Sequence, residues 1–446
     1  MQYRCFKCGF TDDIKRPLAR CPICGGNMRI LYDADEVGFK PDDKLPGIWK
    51  YTCMIKLPLT EAYSLGEGRT PLIRSFRLSR KFGVEKLYIK DETRNPTGSF
   101  IDRGSTVLVS MLKHFGYKRV FCEAKGNLAA SLSAYSSLSG IKCYVKIRGH
   151  IDRGKLYQIL LYGGEILSDE RKIAPYYSVY PADPFLIEGY KTLSFEIYED
   201  LEFKVPDSIV VPVGNGCLIY SIWKGFYELR ELNVIDDFPR LYGVQEDVCA
   251  PLAYRFQNID RRECRKGIAV EINERRPYMG DEAIKVSRDT GGRIVSVGSM
   301  DIIEALRDLA RYEGILVEPA GAAAFSAFKK LLEEGEIDSK DTVVVLATGA
   351  GLKNPRSLVK ALSSLEKSVM IGGTKKLILE ILSRKPQHVY SLWKSLRERG
   401  LNISKTAVYL HVRELERLGY VVSEYVGRRK ILKVSGKITC MRETED

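Results

Sequence analysis

From Lys86 to Ala347 the chain keeps repeating one pattern: a short β-branched run, a loop of glycine and small polar residues, then a helical period. "KLYIK" precedes a helix from Ser99, "RVFCEA" precedes "NLAASLSAYSSLSG", and "KCYVKI" precedes "DRGKLYQILLYG". "SIVVPVG" leads into "CLIYSIWKGFYELREL" and "RLYGVQ" follows; later, the helical stretches "DIIEALRDLARYEG" and "AAAFSAFKKLLEEG" come before the strand "DTVVVLATG". Units of this kind need crossover connections, which put helices on both faces of a mostly parallel sheet. The pattern therefore predicts a doubly wound α/β body, whose ligands would sit beyond the carboxyl ends of the strands. The loops at those ends are "KDETRNPTGSF", "AKGN", "PVGNGC" and "ATGAGLKNP". In "VGNGC", Gly214 and Gly216 open a helix, so backbone N–H groups could cradle a phosphate there. A tight two-glycine turn is the plainer alternative.

A chain of 446 residues is too long for one simple core. Three domains are expected: 1–40, 41–366 and 367–446. The first holds "CFKC" and "CPIC", so Cys5, Cys8, Cys21 and Cys24 form two pairs, each followed by glycine. Two such knuckles make a closed tetrahedral sulfur site, which suits a structural zinc ribbon with no position left for water. Iron on the same four sulfurs, or four free thiols, are the alternatives. No secretion signal and no bilayer-length apolar run are seen, so the reading is a cytoplasmic protein with reduced cysteines and no membrane association.

The third domain carries much of the basic charge: 17 Lys and Arg against 9 Asp and Glu from Glu366 onward, which is +8 of the net +13. Three helical periods and a hairpin around a glycine follow one another there. On the third helix Val408, Val412, Leu415 and Leu418 form one apolar stripe. The arrangement resembles a winged helix-turn-helix domain. Lys405, Thr406, Tyr409 and Arg413 would face a major groove of duplex DNA, and Arg428, Arg429 and Lys430 on the hairpin would meet phosphates. A protein-docking or dimerising module is the other use of such a domain, and a homodimer is expected from paired half-sites.

The central motifs resemble the threonine synthase branch of the pyridoxal-phosphate enzymes of fold type II, the tryptophan-synthase β fold. The resemblance is carried by "GEGRTPL" (Gly66 to Leu72), "KDETRNPTGSF" (Lys90 to Phe100), "KGN" (Lys125 to Asn127), "EGYKT" (Glu188 to Thr192), "EPAGAAA" (Glu318 to Ala324) and "TGAGLKNP" (Thr348 to Pro355). With the cysteine ribbon, these cover about four fifths of the chain. The resemblance implies that Asn127 bonds the cofactor's ring hydroxyl and that Gly214, Asn215 and Gly216 hold its phosphate. It implies further that Thr348 faces the pyridine nitrogen, and that Ala124, Lys125, Gly126 and Leu128 meet the substrate carboxylate. Turn and cap chemistry is the plain alternative for Asn127 and Thr348.

The sequence departs from the family at one decisive place. Where the family writes "SFKDRG", with a lysine that forms the internal imine, this chain writes "SFIDRG", with Ile101. A hydrocarbon side chain forms no imine and moves no proton. Lys125, Cys217, Leu218 and Leu128 also change the surroundings of the pocket. The expectation drawn from this is a DNA-binding transcriptional regulator, built on a disabled body that senses an amino-acid-related or pyridoxal-phosphate ligand held non-covalently. It would not make threonine from phosphohomoserine. The alternative is a pyridoxal-phosphate enzyme with an accessory winged helix and a displaced lysine, Lys125 being the candidate. A third reading is a non-catalytic partner of a genuine threonine synthase.

Overall fold

The computed structural model describes residues 1–33, 37–57, 61–124, 126–147, 149, 151–168, 173–259, 263–355, 358, 373–401, 403–417, 419–426 and 429–435. Its contacts divide the chain into two compact units, Met1–Leu358 and Val359–Asp446. The four-cysteine segment belongs to the first unit, together with the α/β body.

The body is built on two sheets. In the larger, five parallel strands run in the order Ile294–Val297, Arg240–Glu246, Ser208–Pro212, Thr342–Ala347 and Lys86–Asp91, with Leu72–Arg74 antiparallel at the edge. The smaller is wholly parallel, in the order Glu165–Ile166, Lys142–Ile147, Arg119–Ala124 and Tyr177–Val179. The central strands read as near-continuous apolar runs because helices cover both faces. Ile209, Val210 and Val211 are fully buried, as are Val343 and Val344. The doubly wound body expected from the repeating pattern is therefore present.

The motif from Lys90 to Arg103 is a buried polar scaffold. Arg103, fully buried, bonds Glu92 Oε2 at 2.7 Å and Glu196 Oε2 at 2.7 Å. Asp102 accepts from the Thr97 N–H at 2.7 Å and from Ser131 Oγ at 2.5 Å. Each charge has its partners, the condition under which burying them is tolerable. The scaffold fixes the start of the Ile101–His114 helix, and with it the direction of residue 101.

At the N-terminus three short strands form an antiparallel sheet in the order Thr11–Asp13, Gln2–Cys5 and Met28–Leu31. Tyr3, Met28 and Ile30 are buried in the same core as the body. The cysteines are not all thiols, as the sequence reading had them: Cys249 and Cys264 are joined in a disulfide. The second unit has helices Gly373–Arg384, Val389–Glu398 and Lys405–Arg417, then the antiparallel hairpin Val421–Val426 and Arg429–Val434. Val408, Val412 and Leu415 form its expected stripe and pack with Ile378, Leu392 and Leu432. Leu418 lies outside the described residues. Among the described residues, no helix is long and apolar enough to cross a membrane.

Candidate active site

The loops at the carboxyl ends of the strands converge on one cavity, at the place where a doubly wound fold puts its ligands. Ser208–Pro212 delivers Gly214, Asn215 and Gly216 to the cavity wall, and Thr342–Ala347 delivers Thr348. Arg119–Ala124 ends at Ala124 and is followed by Gly126, Asn127 and Leu128. Ile101 and Leu218 line the same space. The residues that sequence reasoning singled out for the pocket thus lie together, apart from Lys125, which is outside the described residues, and Cys217, which is buried beside it.

Local geometry explains the glycine loop. Gly216 has φ 93°, and a Cβ there would lie 2.3 Å from the Met279 carbonyl oxygen, so only glycine fits. It precedes the Cys217–Glu231 helix, whose first-turn N–H groups have no carbonyl partner within the helix and carry its positive end. The Asn215 side chain accepts from the Cys217 N–H at 3.0 Å, while the Asn215 carbonyl accepts from the Met279 N–H at 2.8 Å. The loop is thereby pinned from both sides.

A charged cluster that the sequence reading did not single out forms another wall. Lys155 lines the cavity with only 3% of its side chain exposed, bonds Glu271, and lies 3.5 Å from Glu318 Oε2. Asn127 donates to both oxygens of Glu318 at 3.1 Å, which leaves the buried Asn127 Oδ1 without a partner. Glu271 also accepts from Asn354 at 2.8 Å, and its second oxygen is buried and unpaired. Burial works against the ammonium form of Lys155, yet the facing Glu271 and Glu318 carboxylates hold its pKa above the usual lysine value. Burial, then the neighbouring Glu271 charge, pushes the Glu318 carboxyl up. Behind this wall Lys353 donates to the Thr97 carbonyl at 2.7 Å, and burial lowers its pKa to about 8. Glu318 stood inside a recognised motif without a role. Lys155 sat in a stretch that reads as an ordinary amphipathic helix, and Glu271 lies in a segment with no periodicity.

Cys5, Cys8, Cys21 and Cys24 come together as the paired spacing requires. Their sulfurs all lie within 4.8 Å of one another, with Cys5–Cys24 at 3.5 Å and Cys8–Cys21 at 3.6 Å. A tetrahedron with zinc–sulfur bonds of about 2.3 Å has edges of about 3.8 Å.

The basic residues of the second unit are arranged less freely than the sequence suggested. Lys405 lies across the rings of Tyr390 at 4.7 Å and Trp393 at 4.8 Å, and Lys430 pairs with Glu416 at 2.9 Å. Arg413 stands 5.9 Å from the Tyr409 ring, and Thr406 and Tyr409 are exposed. Arg429 opens the second hairpin strand, and Arg428 lies outside the described residues.

With this geometry in hand, comparison with known proteins decides the family. Residues 63–349 match the family described as "Pyridoxal-phosphate dependent enzyme". The chain belongs to that family. It is 38% identical over 387 residues to the threonine synthase of Methanocaldococcus jannaschii, covering 81% of this chain and 95% of that one. It is 35% identical over 380 residues to the threonine synthase of Methanosarcina acetivorans, covering 80% and 93%. Among solved structures, the processed form of threonine deaminase isoform 2 from Solanum lycopersicum superposes with a TM-score of 0.57 at 18% identity, covering 74% of this chain and 97% of that one. Maize serine racemase gives 0.54 at 21%, covering 63% and 89%. At those identities the structures speak for the fold alone.

The relatives overturn the regulator reading. A chain aligned over 81% of its length with a threonine synthase is matched to an enzyme, and nothing found speaks for DNA binding or transcriptional control. The pseudoenzyme reading falls with it. Its physical premise was the hydrocarbon at residue 101, and one substituted position weighs less than a match to enzymes over four fifths of the chain.

Proposed function

We propose that this chain is a pyridoxal-phosphate-dependent enzyme acting on an amino acid, with threonine formation the first reaction to assay, and that it uses an amine other than residue 101. The observation that carries the reading is the convergence of Asn127, Gly214, Asn215, Gly216 and Thr348 on one cavity. The residues fit the cofactor. The helix start at Gly216 offers N–H donors to a phosphate, and the orphaned Asn127 Oδ1 and Glu271 Oε2 call for donors from a ligand.

Pyridoxal phosphate, when bound, supplies an electron sink for negative charge developing next to the amino group of its substrate. The chain's residues do the rest. Gly214, Asn215 and Gly216 would hold the phosphate, and Thr348 and Asn127 would orient the ring. Gly126 and Leu128, with Lys125 just before them in the sequence, would receive the substrate carboxylate. Ile101 and Leu218 form an apolar wall that excludes water, and Glu318 holds or gives up a proton beside Lys155 Nζ.

The four thiolates are read as a structural zinc site, closed by sulfur on all sides. The second unit is read as an accessory module of the winged-helix type. The test is retention of pyridoxal phosphate by the full chain after dialysis, followed by an assay for threonine from phosphohomoserine. About one equivalent retained, with turnover above that of free cofactor, is expected. A chain that keeps no cofactor would refute the reading.

A further inference from the structure

One covalent bond outside the cavity governs part of its wall. We infer that the Cys249–Cys264 disulfide is a redox clasp, opened by a dithiol reductant, and that opening it loosens the wall and weakens what the cavity holds. The loosening stands apart from the cofactor reading, whereas the effect on cofactor retention rests on the proposed function.

Placement carries the inference. Cys249 ends the short turn Asp247–Cys249, directly after the strand Arg240–Glu246, and is fully buried. Its partner Cys264 is partly exposed. The stretch after Cys264 supplies Val270, Glu271, Ile272 and Glu274 to the cavity, and it forms neither helix nor strand. Its position therefore depends on ties to neighbouring elements. At one end the disulfide holds it. Beside the disulfide, the Arg265 N–H donates to the Val248 carbonyl at 2.8 Å, and the Ile268 and Ala269 N–H groups each donate to the Glu246 carboxylate at 3.0 Å. Glu246, Val248 and Cys249 all lie at the end of one strand, so these ties form a single anchorage. The covalent bond keeps the donors near their acceptors, because cutting it returns to the stretch the freedom of a longer loop. At the other end Glu271 bonds Lys155 and Asn354, and a Cβ at Gly214 would lie 2.8 Å from the Glu271 carbonyl oxygen. A shift of the stretch thus reaches both the charged wall and the glycine loop.

Exposure of Cys264 gives the clasp its entry point, since exposed disulfides are the readily reduced ones. A thiolate of the dithiol attacks Cys264 Sγ, the S–S bond breaks, and Cys249 leaves as a thiolate that takes up a proton. The second thiolate of the reductant then attacks its own partner sulfur in the mixed disulfide. A cyclic disulfide forms, and Cys264 is released to take up the second proton. Two electrons and two protons pass from the dithiol to the protein.

The test follows amide hydrogen exchange and pyridoxal-phosphate retention in the full chain, oxidised and after treatment with dithiothreitol. Reduction should speed exchange selectively in residues 264–274 and lower retention by about fivefold or more, and reoxidation should restore both. Because the reductant also meets the four ribbon cysteines, Cys249→Ser with Cys264→Ser provides the control. This variant should match the reduced chain with or without dithiothreitol, at unchanged metal content. If exchange in 264–274 does not respond to reduction, or rises evenly over the whole first unit with a lower melting temperature, the bond is only a brace and the clasp is refuted. Faster local exchange with full retention would overturn its hold on the cavity. An oxidised chain that keeps no cofactor would sink the proposed function, while the exchange measurement still decides the clasp.

Discussion

Residue 216 shows how far a single backbone position reaches. With φ 93° and the Met279 carbonyl against it, Gly216→Ala combines strain with a clash. About 1–3 kcal/mol of stability should be lost, by urea unfolding, and cofactor retention should fall in parallel because the loop shifts. Lys353 makes a different test. Burial lowers its pKa to about 8, from 10.5 in the unfolded chain, so between those values the unfolded chain binds the extra proton and the folded one does not. Stability contributed by this group therefore rises as pH rises from about 8 to about 10.5, by up to about 1.4 kcal/mol per unit, and below about 8 it adds no slope. Urea midpoints between pH 8 and 10 should climb relative to those of Lys353→Met, in which this component is gone. A variant that tracks the parent across that window would show that Lys353 is not the titrating group. Neither Lys353 nor Lys155 was singled out from the sequence. Both sit in stretches where a lysine normally faces water, and only packing over Gly126 and under Thr97 turns them inward.

Elements were far more legible than these side chains. Four strands of the larger sheet, Lys86–Asp91, Ser208–Pro212, Arg240–Glu246 and Thr342–Ala347, followed from short β-branched runs, because a parallel sheet buried on both faces requires such runs, whereas Leu72–Arg74 and Ile294–Val297 were not read as strands. The Lys90–Arg103 motif was recognised but its work was not. What it mostly does is tie a strand, a loop and a helix through buried charges, and spacing alone does not show which carboxylate meets which cation. Arg103 makes that tie, holding Glu92 and Glu196. Arg103→Met should cost about 3–5 kcal/mol, because two buried carboxylates lose their shared partner. Arg103→Lys should fall between, since one ammonium cannot match a forked guanidinium. Equal losses in the two variants would mean that charge is irrelevant and that only the packing of the long stem counts.

At the scale of the molecule, the four-cysteine ribbon is joined to the pocket. Its Tyr3 ring packs 6.1 Å from Phe185 and its Phe6 ring 5.4 Å from Tyr220, so it shares the core of the body. Asn27, three residues beyond Cys24, donates to the Tyr278 carbonyl at 2.7 Å and accepts from Tyr180 at 3.1 Å. Tyr278 lines the cavity, and the next residue, Met279, bonds Asn215 in the glycine loop. A continuous path therefore runs from the cysteine knuckle to the proposed phosphate cradle. With the proposed zinc bound, a small ribbon of this kind would draw order from the metal. Chelation, or Cys8→Ser with Cys21→Ser, should thus lower the melting temperature of the first unit and weaken cofactor retention together. Asn27→Ala separates the two effects. It leaves all four thiolates in place, so metal content by elemental analysis should stay constant. Of the side-chain ties it removes, the one to the cavity residue Tyr278 is worth about 1 kcal/mol, so retention should fall by roughly fivefold. If retention is unchanged in Asn27→Ala but lost on chelation, the ribbon acts through the stability of the whole unit and not through this path.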